Sequence, residues 1–148
     1  MIPWIFFTIR VLIGLLFVFV GVNKLLTPYQ NFQYVIQHYQ IFPSPLDALI
    51  AGIFPWIELF AGLFTLLGLW TRWSLSVLGL CVSGFIIIIV QALIRHLPID
   101  ECGCFGDAVH LKPAQTLILD IVLWLLIAWL LRNLAAARRC SLDRLYDQ

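Results

Sequence analysis

The sequence predicts an all-α membrane protein: a bundle of four transmembrane helices, both termini cytoplasmic, with a short interfacial helix in the first outer loop. Three observations predict it. Of 148 residues, 62% are hydrophobic and 11% charged, against about 25% charged in soluble domains. Four apolar stretches each approach the ~20 helical residues that cross a bilayer core. Lys and Arg then divide unequally between the two sides. The length allows one domain, and a net charge of +1 with no basic run or glycine-rich phosphate loop points away from nucleic acid.

The first span is predicted over residues 4–26. It does not read as a cleaved signal peptide, because it lacks a basic start, carries Arg10 inside and shows no small-x-small site. Pro28, Pro43 and Pro45 then break the chain. Between them Phe32, Val35, Ile36 and Tyr39 recur at helical spacing among amides, which predicts a short helix lying in the interface. It serves as an anchor or as a cover for the later cysteine loop. The second span follows at 46–69, the third at 73–94 and the fourth at 114–131. Thr71-Arg72, Pro98, Gly103, Gly106 and Pro113 supply the breaks between them, and residues 132–148 form a basic cytoplasmic tail. Gly14, Gly21, Gly62, Gly68, Gly79 and Gly84 are expected to let helices approach in lipid. Trp70 and Trp73 flank the short inner turn as interface anchors.

One side of this arrangement receives Arg72, Arg132, Arg138, Arg139 and Arg144, the other Lys24, Arg95 and Lys112. The richer side is predicted to be cytoplasmic. That orientation puts the segment Asp100-Glu101-Cys102-Gly103-Cys104-Phe105-Gly106-Asp107 outside, where disulfides form and persist. Cys102 and Cys104 are one residue apart, and Gly103 gives the backbone freedom to bring the sulfurs together. Closing so short a loop stabilises a fold little, and a strained disulfide is readily exchanged, so the pair reads as redox-active. Acidic Asp100, Glu101 and Asp107 disfavour thiolate there, while Arg95, His96, His110 and Lys112 favour it. Cys81, inside a span, and Cys140, in the tail, read as bystanders.

Ionisable groups inside spans are expensive and each calls for a partner. Counting about 1.5 Å per residue from the cytoplasmic ends, Arg10 and Glu58 reach a similar depth on consecutive antiparallel helices. They are predicted to form a structural ion pair. In the outer half, Lys24, Gln91 and Asp120 gather beneath the cysteine loop. Asp120 pairs with Lys24 or passes protons during thiol oxidation, a catalytic role beside Cys102 and Cys104. Trp124, one turn below Asp120, offers a flat face, so Lys24, Gln91 and Trp124 are candidate contacts for a quinone cofactor. No metal site is assigned.

Taken together, these residues resemble the MauE family of methylamine utilisation proteins, within a broader DoxX-like group. The likeness rests on Arg10 with Gly14, on Gly21-Val22-Asn23-Lys24-Leu25, on Pro55-Trp56-Ile57-Glu58-Leu59-Phe60-Ala61-Gly62, and on Asp100-Glu101-Cys102-Gly103-Cys104-Phe105-Gly106. The resemblance implies a four-helix membrane protein tied to disulfide formation or thiol redox in the periplasm, alongside thioredoxin-like proteins. By architecture it is also similar to disulfide-generating proteins of the DsbB and vitamin K epoxide reductase type, which relay through two cysteine pairs where this chain has one. The leading expectation is therefore a thiol–disulfide oxidoreductase of the bacterial inner membrane. Its Cys102–Cys104 pair exchanges with a periplasmic thioredoxin-fold partner and is reoxidised by ubiquinone or menaquinone. Two other classes stay open: a soft-metal binding or transport protein using Cys102, Cys104 and His110 or His96, and a non-enzymatic membrane scaffold or chaperone.

Overall fold

The computed structural model describes residues 2–40, 43–96 and 112–137. Every element among them is helical: α1 (Ile2–Leu26), α2 (Tyr29–His38), α3 (Leu46–Leu67), α4 (Thr71–Ile94), α5 (Pro113–Arg132) and the single turn α6 (Leu134–Ala137). Four of these are long and apolar enough to cross a membrane, and at most 39% of each apolar window is buried inside the protein. The rest faces outward, as in Leu26, Leu80 and Ile94, all more than 70% exposed. Surface of that kind is stable against lipid and not against water.

Local chemistry sets the helix ends. Gly68 takes the left-handed conformation (φ 69°), and the Leu69 N–H donates back to the Phe64 carbonyl at 2.9 Å. That closure ends α3 at Leu67, two residues short of the predicted boundary. Trp70 and Trp73 stand 71% and 72% exposed beside this turn, and Trp4 is exposed at the start of α1. Pro113 occupies the first turn of α5, where its missing N–H is no loss.

Glycines fix how α1 and α3 meet. A Cβ on Gly14 would lie 2.7 Å from the Leu66 backbone, one on Gly21 2.9 Å from that of Leu59, and one on Gly62 2.9 Å from that of Val18. The two backbones therefore touch, in an antiparallel register that sets residues 14, 18 and 21 against 66, 62 and 59. This register staggers the helices. The first 11 residues of α1 run past the end of α3 by about 16 Å, and the first eight of α3 run past the end of α1 by about 12 Å.

Each overhang has a cover. At one end α6 and α5 meet the start of α1: Phe6 stacks on Trp129 with ring centroids 4.2 Å apart, and the Arg10 guanidinium donates to the Ala137 carbonyl at 2.8 Å. At the other end α2 lies over the start of α3. Gln33 and Gln37 both donate to the Asp47 carboxylate, which also accepts from the Ala48 N–H at 2.8 Å. Phe32 packs against Phe54. A short helix is thus present where one is expected, and its apolar face is turned down onto the bundle.

The main core, including Phe6, Phe17, Leu75, Leu78, Ile127 and Leu130, occupies the end opposite α2. Gly79 brings α4 against Ile127 of α5, and the Trp124 indole N–H donates to Ser83 Oγ at 2.9 Å. A smaller cluster of Val20 and Ile89 sits toward the α2 end.

Candidate buried ion site and apolar cavity

Lys24 stands in the last turn of α1 with 2% of its surface exposed. An ammonium so buried needs a counter-ion, and Glu58 of α3 provides it with Nζ–Oε2 at 2.8 Å. The register explains the pairing, because Glu58 stands opposite residue 22, half a turn from Lys24. Three rings complete the shell. The ammonium lies 4.6 Å from the Phe32 centroid, 5.0 Å from Phe85 and 5.7 Å from Phe54. Ring faces at these distances attract a cation by about 0.5–2 kcal/mol each. One charge is thus held by a carboxylate from α3 and by rings from α2, α3 and α4.

Asp120, the second buried carboxylate, enters from α5. It is 4% exposed, and its Oδ2 has no hydrogen-bond partner among the described residues. It lies within electrostatic range of both Lys24 and Glu58. Glu58 and Asp120 also line one small void, about 20 Å³, with Leu16, Val20, Phe85 and Leu123. That is the space one water molecule requires. Tyr39, just past α2, is pushed up to about 12, first by burial and second by the negative charge of Asp120. Its phenol therefore keeps its proton throughout the physiological range.

Beside this group a larger cavity of about 440 Å³ opens between α2, α3 and α4. Its walls include Phe32, Tyr39, Phe54, Cys81, Gly84 and Phe85. Three of these rings also hold Lys24, so the ammonium stands behind the aromatic wall. Cys81 is buried and within range of the Lys24–Glu58 charges.

Comparison with known proteins adds one result. Residues 2–133 match the family model described as methylamine utilisation protein MauE. The chain belongs to the MauE family. No curated protein and no solved structure matches it. The match spans nearly the whole chain of this MauE protein, and with the four apolar helices it makes the chain a multi-pass membrane protein.

The structure redistributes several residues of the MauE chain relative to the sequence reading. The predicted Arg10–Glu58 ion pair is not formed: Glu58 pairs with Lys24, and Arg10 reaches Ala137. Depth counting had assumed that helices start and stop at common planes, and the stagger of α1 against α3 removes that premise. Arg10 stands about 21 Å along α1 from Lys24. The alternative Asp120–Lys24 pair gives way to the same contact, although Asp120 remains nearby. Lys24, Gln91 and Trp124 are not gathered into one cofactor site. Gln91 is exposed, and Trp124 is hydrogen-bonded to Ser83 outside the cavity wall. Gly84 packs against nothing within 4 Å and lines the cavity instead of a helix contact. Cys102, Cys104 and His110, with residues 97–111 generally, lie outside the described residues, as do Cys140 and the tail from residue 138. The ring shell of Lys24 escaped sequence reasoning. Its only trace was the helical spacing of Phe32 and Tyr39.

Proposed function

We propose that this MauE protein is a thiol–disulfide oxidoreductase of the bacterial inner membrane, with Cys102 and Cys104 as its exchanging pair on the periplasmic side. The observation that carries the reading is the Cys-Gly-Cys sequence between α4 and α5, together with the buried Asp120 of α5, whose Oδ2 has no hydrogen-bond partner among the described residues. Asp120 lies seven residues into α5, about 10 Å from its start.

A dithiol on a periplasmic thioredoxin-fold partner attacks the Cys102–Cys104 disulfide, giving a mixed disulfide and one free thiol on this chain. The partner's second thiolate displaces that bond. The partner leaves as a disulfide, and Cys102 and Cys104 hold two electrons and two protons. Return of Cys102 and Cys104 to the disulfide requires an acceptor of two electrons and two protons, which a membrane quinone would supply when bound. The chain's own task is to move protons from the loop into an apolar bundle. Asp120 receives a proton, and the one-water void links it to Glu58. Lys24 balances the negative charge of that pair of carboxylates, and its ring shell keeps it from the lipid.

The reading is tested by reducing the purified protein, adding a short-chain quinone without oxygen, and counting free thiols with a mass tag. Loss of the tag from Cys102 and Cys104, and recovery of a partner's disulfide, are the expected results. If both cysteines stay fully tagged and the partner stays reduced, the oxidoreductase assignment is lost.

A further inference from the structure

Three ionisable groups meet inside the bundle, and their charges do not balance. Lys24 brings one positive charge; Glu58 and Asp120, both buried, would each bring a negative one. The ammonium is already committed. It donates to Glu58 Oε2 at 2.8 Å, and the rings of Phe32, Phe54 and Phe85 surround the rest of it. Asp120 arrives on a different helix and makes no ion pair with Lys24, and its Oδ2 has no hydrogen-bond partner among the described residues. Tyr39 and Cys81 also lie within electrostatic range, but an ordinary phenol or thiol is uncharged at neutral pH. With Lys24, Glu58 and Asp120 all ionised, one carboxylate is left unmatched in a hydrocarbon setting. A carboxylate placed so takes up a positive species.

The void that Glu58 and Asp120 share decides which species fits. It measures about 20 Å³, and every other side chain lining it is hydrocarbon, Leu16, Val20 and Leu123 among them. A metal cation such as magnesium or calcium asks for about six oxygen ligands or more. Two carboxylates cannot supply them, least of all with Glu58 Oε2 already held by Lys24. Nor do the described residues contain any group of three or more His, Cys, Asp or Glu that could hold a metal. A proton asks for far less: one oxygen to carry it and one acceptor for the resulting O–H. A single water in the void accepts from Asp120 and donates to Glu58, which gives it the two polar partners a buried water needs.

We infer that Lys24, Glu58 and Asp120 form a binding site for one proton, carried on Asp120 and joined to Glu58 through a single water. The loaded site is electrically neutral. Its proton comes from the aqueous phase and belongs to the carboxylate pair, since the two groups titrate together. Tyr39 feels Asp120 as an anion only once that proton has left. The site exists whether or not the thiols react. Its use as a station for protons released at Cys102 and Cys104 rests on the oxidoreductase reading.

Infrared spectroscopy of the full-length chain in vesicles tests this, with Cys102, Cys104 and Cys140 replaced by Ser so that no disulfide exchange intervenes. At neutral pH a protonated-carboxyl stretch is expected, shifting in deuterium oxide and disappearing in Asp120→Asn. That substitution preserves volume, and helical circular dichroism checks the fold. Lys24→Met removes the cation of the cluster, so both carboxylates are then expected to hold protons and the band to grow about twofold. Should Lys24→Met fail to fold, the result with Asp120→Asn decides alone. Three results overturn the inference: no protonated-carboxyl band that Asp120→Asn removes, a band of unchanged size in folded Lys24→Met, or a band abolished at constant pH by sodium or potassium ions. The last would mean that the site takes a metal ion. The expected bands together with no thiol reoxidation in the native chain would leave the proton site standing and remove its part in thiol chemistry.

Discussion

Replacing Glu58 by Gln removes the counter-ion of Lys24 while preserving volume, and so probes the centre of the bundle. The ion pair spans 2.8 Å with both side chains almost wholly withdrawn from the surface. Breaking such a pair by removing one partner destabilises proteins by about 3–5 kcal/mol, since it strands a buried charge. Here the three rings still face the ammonium and recover part of that loss, which places the expected value near the lower end, ~3 kcal/mol. Replacing both groups by apolar residues, Lys24→Met with Glu58→Leu, strands neither member of the pair and is expected to lie within about 1–2 kcal/mol of the parent. The assay is reversible unfolding in mixed micelles, followed by helical circular dichroism. A double-mutant cycle adds the decisive comparison. Positions 24 and 58 are expected to couple strongly, whereas Arg10→Met with Glu58→Gln is expected to be additive within about 0.5 kcal/mol. A Glu58→Gln loss below ~1 kcal/mol, or stronger coupling of Glu58 to Arg10 than to Lys24, would refute the register and the ion site together.

Three further outcomes are expected. Gly21→Val and Gly62→Val force apart the touching backbones of α1 and α3 and are expected to lower unfolding stability by about 1–3 kcal/mol each, while Gly84→Val, in open space, does not. Asp47→Ala removes the acceptor shared by Gln33, Gln37 and Ala48, so hydrogen exchange across residues 29–38 is expected to rise, with ~1.5–3 kcal/mol of local stability lost. Under the proposed function, Asp120→Asn is expected to slow thiol reoxidation by about 100-fold while leaving exchange with a dithiol partner intact; unchanged reoxidation in stopped-flow thiol trapping removes Asp120 from the proton route.

Element type was legible in this sequence because the relevant signals are local. Long apolar runs, the Thr71-Arg72 break and the prolines around α2 each act within a few residues, and the helices follow them. Pairing was not legible to the same degree. Arg10 and Glu58 have opposite charges and comparable distances from a helix end, yet the contact that forms is set by Gly14, Gly21 and Gly62. These glycines were recognised as approach points, but without a partner register they could not say which carboxylate meets which cation. Gly84 belongs to the same pattern and does something different, since the gap beside it depends on where α2 and α3 lie. Asp120 is buried within electrostatic range of Lys24 and Glu58, while the cysteine loop lies outside the described residues. The rings around Lys24 come from three separate segments, so no spacing rule in any one of them could have assembled the shell.

The contact between Arg10 and the Ala137 carbonyl joins groups 127 positions apart in the chain. During synthesis the first helix reaches the translocon with its guanidinium long before the ribosome has produced that acceptor. A cationic helix waiting in lipid tends to ride shallow, drawn toward the aqueous surface. This contact therefore forms among the last acts of biogenesis. Nascent chains arrested short of Ala137 would lack the tie between the two ends of the chain.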